Sequence, residues 1–126
     1  MQQLQFEAAW DKTIAVKDRV FIEQLFEQTK DNRQNLIQCV PVRVAVNHRN
    51  QLLVTVLIHN FQEDVLRFMK TKVGCHIQGH YFTQLFTIPA LLIPPKASMP
   101  WTFIFDVEII ENDLNMTPPS VHIEEN

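Results

Sequence analysis

The fold is decided by two runs of residues, Val40-Pro-Val-Arg-Val-Ala-Val46 and Leu52-Leu-Val-Thr-Val-Leu-Ile58. In the first run valines alternate with other residues, which is the pattern of a half-buried β-strand. Proline donates no ladder hydrogen bond, so Pro41 predicts either an edge position or a β-bulge. The second run is almost entirely apolar, which predicts a central strand covered on both faces. The connection Asn47-His-Arg-Asn50 predicts a hairpin turn, because asparagine tolerates the left-handed backbone of such turns.

Further strands are predicted downstream, around residues 65–69, 72–78, 80–88 and 101–110. In the last of them Trp101, Phe103 and Phe105 share one face, which we expect to point inward. About six short strands separated by turn signals predict a mainly β fold, an Ig-like antiparallel β-sandwich with one N-terminal helix. Residues 1–112 are expected to form the single domain, and residues 113–126 an acidic, proline-containing flexible tail.

One helix is predicted over about residues 13–30, after an extended arm over residues 1–12. The helix is indicated by apolar residues at helical spacing, Val20, Phe21, Leu25 and Phe26. Charged residues occupy the other positions. We expect the apolar face to pack against the chain's own sheet.

The composition excludes several classes of protein. With 126 residues, 46% of them hydrophobic, and a net charge of -3, the chain can bury a core and is not disordered. Its two glycines are too few for a Gly-rich phosphate loop or a dinucleotide-binding motif. Six acidic residues and no lysine or arginine follow Lys96, and no basic stripe appears before it. Nucleic-acid binding is therefore not expected.

The sequence contains no predicted targeting or membrane-spanning segment. The first residues lack the basic and apolar regions of a secretory signal. The stretch 73–95 has no charged residue, but its histidines and prolines indicate buried strands rather than a membrane span. We expect a cytoplasmic location, with any membrane association arising through partners. A chain trimmed of its leader would look the same.

The histidines and cysteines do not predict a metal or cofactor site. Cys39 and Cys75 are the only cysteines and are expected to be buried free thiols, although one bridge between them stays open if the chain is exported. Cys75, His76 and His80 lie within six residues and have the side chains that zinc prefers. Neighbouring strand residues point to opposite faces, so at most two of these could share an ion.

No catalytic site is predicted. Neither Ser98 nor Ser120 lies in a nucleophile elbow, and Ser120 with His122 falls in the proline-containing tail. Two carboxylate pairs are explained more simply by solvation, Glu63 with Asp64 and Asp106 with Glu108. We therefore expect a protein that is not an enzyme.

Two tryptophans are the candidate partner-binding residues. Trp10 lies on the N-terminal arm, and Trp101 follows Pro100 at the start of a strand. Tryptophan is enriched at binding hot spots, but an aromatic residue of a small domain also serves the core. Both interpretations stay open from the sequence.

Three segments resemble a known family: Phe6-Glu-Ala-Ala-Trp-Asp-Lys12, Leu52–Asn60 and the Ile-Pro-Ala…Met-Pro-Trp-Thr-Phe-Ile-Phe run within 86–105. They are similar to the SLAP domain of accessory Sec system S-layer assembly proteins from Gram-positive bacteria. The resemblance covers roughly residues 4–110. Family members of the assembly-protein type carry two copies of this domain, whereas this chain has one. The resemblance brings no catalytic residues with it.

The resemblance implies a non-enzymatic protein-interaction module, similar to accessory factors in the secretion or assembly of surface-layer proteins. Its partners would be proteins such as surface-layer or secretion components. We expect it to add an extended partner segment to a sheet edge near Leu66–Gln78. The alternative is a β-sandwich that binds a small apolar ligand or a peptide, between its sheets or under its helix. The partner's identity and the oligomeric state stay open.

Overall fold

The computed structural model describes residues 1–107 and 118–124. In chain order the elements are β1 (Gln3–Leu4), α1 (Ala8–Thr13), α2 (Val16–Thr29), β2 (Ile37–Val46), β3 (Leu52–Asn60), β4 (Leu66–Ile77), β5 (His80–Ile93), β6 (Ala97–Phe105) and β7 (Ser120–Glu124). Sheet A has the strand order β1-β6-β3-β2, and sheet B has the order β5-β4-β7. The pairings are antiparallel apart from the short parallel pair of β1 with β6. The predicted mainly β sandwich is confirmed.

Strand β3 is the centre of sheet A, as its apolar sequence predicts. It pairs with β2 on one side and with β6 on the other. Val54, Val56 and Ile58 face the core between the sheets, whereas Leu57 faces the helices. All four side chains are fully buried. Both faces of this strand are covered, so a continuous apolar run is what the position requires.

The turn between β2 and β3 forms as predicted. The side-chain Oδ1 of Asn47 accepts hydrogen bonds from the backbone N–H groups of Arg49 and Gln51, at 2.9 and 3.0 Å. Asn50 adopts a φ of 60°, in the left-handed region that asparagine tolerates. The polar connection therefore fixes the hairpin through its own side chains.

Strand β2 is an edge strand and also carries a bulge, so both predictions for Pro41 hold. Pro41 lies opposite Val56, but Arg43 lies opposite Thr55, which leaves Val42 as the extra residue. An extra residue reverses which side chains face which side of the sheet. The predicted single face of valines is therefore wrong: Val40 and Val42 pack against the helices, and Val44 packs in the core between the sheets.

Aromatic rings fill the space between the sheets. Phe103 and Phe105 from β6 point inward, as predicted, and are fully buried. The ring of Phe86 meets both of them edge to face, with centroids 5.0 and 5.3 Å apart. Phe68 from β4 adds a tilted contact with Phe103 at 5.7 Å. These contacts join the two sheets into one core.

The helical region differs from the prediction, because two helices replace one helix and an extended arm. Residues 8–13 form α1, and Ile14 and Ala15 are extended before α2 begins at Val16. Helix α1 is capped by Glu7, whose side chain accepts a hydrogen bond from the backbone N–H of Ala9 at 2.9 Å. This cap supplies a helix start that the apolar spacing does not show. Neither helix has the length and apolar character needed to cross a membrane.

Helix α2 packs on the outer face of sheet A, as expected, but through a narrower face than predicted. Ile22 and Phe26 are buried against Leu57 of β3. Val20 and Phe21 are 43% and 49% exposed. The two buried positions are four residues apart, and Val20 and Phe21 lie to one side of them, so the sheet covers these two side chains only in part.

The predicted flexible tail is wrong for residues 120–124. These residues form β7, which pairs with β4 so that Val121 lies opposite Cys75. Val121 is buried in the core, and this burial explains why the segment orders. The rest of the predicted tail, residues 113–117 and 125–126, lies outside the described residues, as do residues 108–110 of the predicted last strand.

Candidate partner-binding groove

A groove lies between the two helices and the outer face of sheet A. Its volume is about 560 Å³. One wall is made by α1 and α2, and the floor by β2, β3 and β6. The lining residues are Ala9, Trp10, Thr13, Ile14, Ala15, Asp18, Phe21, Ile22, Val42, Arg43, Thr55 and Thr102. Most of these side chains are apolar, with one acid and one base among them.

The two tryptophans predicted as partner-binding residues lie side by side. Their rings stack with centroids 6.4 Å apart and planes inclined by 28°. Trp10 lines the groove, whereas Trp101 packs against the core between the sheets. Both are partly buried. The structure thus brings the two predicted residues together. Trp10 lies at the groove, and Trp101 lies against the core between the sheets.

The floor of the groove carries hydroxyl groups that the sequence analysis missed. The Oγ1 atoms of Thr55 and Thr102 lie 2.7 Å apart across β3 and β6. Arg43 lies opposite Thr55 and lines the groove because of the bulge in β2. A usable signal was present, since Thr55 is the only polar residue within the apolar run 52–58. A polar residue at a covered position of a central strand indicates a site where polar contact is needed.

An ion pair joins the two helices that form the wall of the groove. The guanidinium of Arg19 on α2 donates to the carboxylate of Asp11 on α1 at 2.8 Å, and to its backbone oxygen at 3.1 Å. The same guanidinium lies over the ring of Phe6, 4.5 Å from its centroid. Because an exposed ion pair contributes less than about 1 kcal/mol, its main consequence here is the relative position of α1 and α2.

A buried chain of hydrogen bonds fixes the helical layer to sheet A. His59 Nδ1 lies 2.6 Å from Ser98 Oγ, and His59 Nε2 lies 2.8 Å from Thr29 Oγ1. The Thr29 hydroxyl donates to the backbone oxygen of Leu25, so it accepts from His59 Nε2–H. His59 Nδ1 then accepts from the Ser98 hydroxyl, which in turn accepts from Gln2 Nε2–H at 3.0 Å. The neutral imidazole thus has a partner at each ring nitrogen, a donor at Nδ1 and an acceptor at Nε2.

Burial sets the charge state of His59. The imidazole is fully buried and stacks on Phe61, with centroids 5.3 Å apart and planes within 11°. Burial lowers the pKa of His59 from 6.5 to about 4. His59 is therefore neutral at physiological pH, and its role in the described network is to connect the last turn of α2 with β3 and β6.

The residues weighed as metal ligands are separated by the sheet. Cys75 points into the core, and His76 points to the outer face of sheet B, as strand alternation predicts. The ring centroid of His76 lies 4.3 Å from that of Tyr81 and 6.3 Å from that of His122. Within residues 1–107 and 118–124, no three His, Cys, Asp or Glu side chains are placed to hold a metal ion.

The two cysteines are buried free thiols, as predicted. Burial raises the pKa of Cys39 to about 12 and that of Cys75 to about 11. Both thiols therefore stay protonated, which makes them weak nucleophiles.

The other residue pairs considered in the sequence as catalytic candidates do not form catalytic pairs among the described residues. The hydroxyl of Tyr81 lies 3.2 Å from His122 Nε2, so His122 contacts Tyr81 and, within the described residues, forms no hydrogen bond with Ser120. Glu63 and Asp64 are exposed in a turn, and Glu63 pairs with Lys96 at 3.1 Å. Asp106 accepts a hydrogen bond from the amide of Gln51. Its proposed partner, Glu108, lies outside the described residues.

The sheet edge expected near Leu66–Gln78 is covered over part of its length. Strand β4 occupies most of that stretch and lies between β5 and β7. Strand β7 pairs with residues 72–76 of β4, so a partner strand cannot add there, whereas residues 66–71 lie outside this pairing. The sequence could not show this, because β7 comes from the predicted tail.

Comparison of the sequence with known protein families gives a match. The family model described as the SLAP domain matches residues 4–120, from β1 to the first residue of β7. The chain matches no curated protein and no solved structure. The family match covers the groove, His59 with its partners Thr29 and Ser98, and nearly the whole sandwich. Since it spans far more than half of the sequence, the chain belongs to the SLAP domain family.

Proposed function

We propose that this protein is a non-enzymatic protein-interaction module that serves the secretion or assembly of surface-layer proteins and binds its partner in the groove over sheet A. The observation that carries the proposal is the groove itself, an apolar cleft with Trp10 in its wall. Membership of the SLAP domain family supports a role associated with accessory secretion or the S-layer.

The groove has the features of a site that holds an apolar partner segment. Trp10 from α1 and Phe21 from α2 supply aromatic surface to its lining, and Phe21 is 49% exposed. The stacked Trp101 supports the ring of Trp10, so less conformational entropy is lost when a partner packs on it. The threonine hydroxyls and Arg43 on the floor and rim offer polar contacts that orient the segment.

The burial of the nucleophilic groups supports a role without catalysis. Ser98 and His59 lie within hydrogen-bond distance, but both are fully buried, where no substrate reaches them. The raised thiol pKa values of Cys39 and Cys75 disfavour thiolate chemistry. The proposed location is the cytoplasmic side, where an assembly factor meets exported proteins before translocation.

Site-specific photo-crosslinking tests the proposal in a Gram-positive host that has an S-layer. A photoreactive phenylalanine replaces Phe21 in the groove or, as the control, Met69, which is 68% exposed on β4. We expect the Phe21 position to crosslink to a surface-layer precursor or a secretion component, identified by mass spectrometry, and the Met69 position not to do so. Equal crosslinking from both positions, or none from Phe21, contradicts the proposed groove.

The second candidate is a small apolar ligand in the same groove. Its volume of about 560 Å³ lies within the range of small-molecule pockets, about 300–1,000 Å³. The space between the sheets is filled by buried aromatic rings, so of the two predicted locations only the one under the helices fits. Native mass spectrometry of the purified protein distinguishes the two candidates. A bound small molecule adds a small, defined mass to that of the protein, whereas a protein-interaction module is expected to show the mass of the protein alone.

A further inference from the structure

Strand β5 is a long edge strand of sheet B that lacks Asp, Glu, Lys and Arg. Within residues 1–107 and 118–124 the strand that pairs with β5 is β4, so its other side is free of ladder partners there. The strand has 14 residues, and none of them is charged. Leu85 and Leu92 on this strand are 58% and 44% exposed. Natural sheets protect long edges with charges, prolines, bulges or shortness, because an open edge is a template for pairing.

The other edges of the sandwich carry such protection. Strand β2 has Pro41 followed by a bulge and Arg43. Strand β1 has two residues, and β7 has five and ends in Glu124. In β5 the comparable features are Pro89 and the irregular pairing with β4 beyond Phe86, and both lie after the regularly paired, straight part of the strand, residues 80–86. Among residues 1–107 and 118–124, the straight part of β5 is therefore an edge without such protection.

The hairpin between β4 and β5 shows which backbone groups of β5 are available. Gln78 and Gly79 form a two-residue turn with φ values of 51° and 78°, and Ile77 lies opposite His80. Both positive φ values indicate a type I′ turn, which closes on a hydrogen-bonded pair. Alternate residues then direct their N–H and C=O groups away from β4. These residues are Tyr81, Thr83 and Leu85.

The same segment is held firmly on its inner side. The side-chain amide of Gln84 donates to the backbone oxygen of Ile104 at 3.1 Å and accepts from the backbone N–H of Asp106 at 2.9 Å. Gln84 thus connects the middle of β5 to the end of β6 in sheet A. The edge is presented in a fixed extended form, so pairing would cost little further ordering of the backbone.

We propose that β5 pairs antiparallel with β5 of a second copy of this chain, with Thr83 on the two-fold axis. In such a pair each strand meets its own sequence reversed, so a charge near the axis would face an identical charge. The 23 uncharged residues 73–95 remove that repulsion. With Thr83 opposite Thr83, Tyr81 lies opposite Leu85, and the outward-directed groups of all three form hydrogen-bonded pairs. The groove over sheet A is not needed for this contact.

Disulfide trapping in the full chain tests this register. Residues of a hydrogen-bonded antiparallel pair have Cα atoms about 5.5 Å apart, within the range that a disulfide bridges. Thr83→Cys is therefore expected to give a disulfide-linked dimer as the main product of mild oxidation. The native Cys39 and Cys75 are buried and do not compete. The matched control is Ala45→Cys, an exposed position on the edge strand β2, which is expected to stay monomeric.

Sedimentation equilibrium supplies the second measurement. The unmodified chain is expected to dimerise, and Thr83→Lys to raise the dimer dissociation constant at least about tenfold, because it places two ammonium groups together at the axis. Ala45→Lys is expected to leave that constant unchanged. Circular dichroism confirms that both variants fold. A chain that stays monomeric, a dimer that Thr83→Lys does not weaken, or trapping at residue 45 instead of 83 overturns the proposal.

Discussion

Acidification is expected to destabilise this protein through His59. The folded state holds the pKa of His59 at about 4, below its ordinary value of 6.5. The fold therefore favours the neutral imidazole, and this contribution is fully present above pH 6.5 and is lost as pH falls toward 4. The interval is about 2.5 pH units, and at about 1.4 kcal/mol per unit it corresponds to about 3 kcal/mol of unfolding free energy. That is a large part of the stability of a small domain.

The assay is urea denaturation of the wild-type chain and His59→Gln, from pH 7 to pH 4. Glutamine is polar and does not titrate, whereas the carboxyl groups titrate in both proteins and cancel in the difference. His59→Gln is expected to be the less stable protein at pH 7, because it disrupts the contacts with Ser98 and Thr29. The difference from the wild type is expected to shrink by about 3 kcal/mol toward pH 4.

Proton NMR of the histidine rings gives an independent reading of the same group. The His59 resonance is expected to show no titration above pH 5 and to move only as the pH approaches 4. A His59 titration at or above 6.5 would refute the reasoning. A stability difference that does not change with pH would refute it as well, because the imidazole would then contribute only by its shape.

Three further outcomes follow from the buried groups. Ser98→Ala is expected to lower the unfolding free energy by about 1–3 kcal/mol, measured by urea denaturation, because it leaves Nδ1 of His59 buried without a donor. Phe103→Ala, at the centre of the aromatic core, is expected to cost about 3–5 kcal/mol in the same assay; a loss below 1 kcal/mol would contradict the packing described. Cys39 and Cys75 are expected to resist a thiol reagent in the folded protein and to react in urea, and rapid labelling of the native chain would contradict their burial.

The strands of this fold were largely predictable, because their signals are local. The apolar run 52–58 indicates a strand buried on both faces, and that is the position of β3. Pro41 indicates an edge or a bulge, and β2 has both. In the first case the apolar residues themselves indicate burial, and in the second the proline itself lacks the backbone N–H. The prediction of two sheets needed nothing more.

The helical layer and the last strand were not predictable in the same way. Helix α1 has six residues, which is too short for a clear apolar period, and its start depends on the Glu7 side chain. Strand β7 orders because β4 offers it a ladder and Val121 a place in the core. The strand depends on contacts with residues distant in the sequence, and the helix depends on a local side-chain cap that leaves no apolar pattern. The groove depends on α1 as well, so Trp10 could be named from the sequence but not placed.

The bulge at Pro41 and Arg43 has a consequence for how this protein tolerates insertions and deletions. Val42 is the extra residue that turns Arg43 toward the groove and Val44 toward the space between the sheets. A regular pairing of the full-length strand would instead place Val42 opposite Thr55 and direct the guanidinium of Arg43 into the apolar interior, opposite Val54. Deletion of Val42 leaves Arg43 opposite Thr55 and Val44 opposite Val54, so β2 is expected to tolerate the loss of this residue better than the loss of a residue from its regularly paired parts. Scanning by single-residue deletion would reveal this difference, which scanning by substitution would overlook.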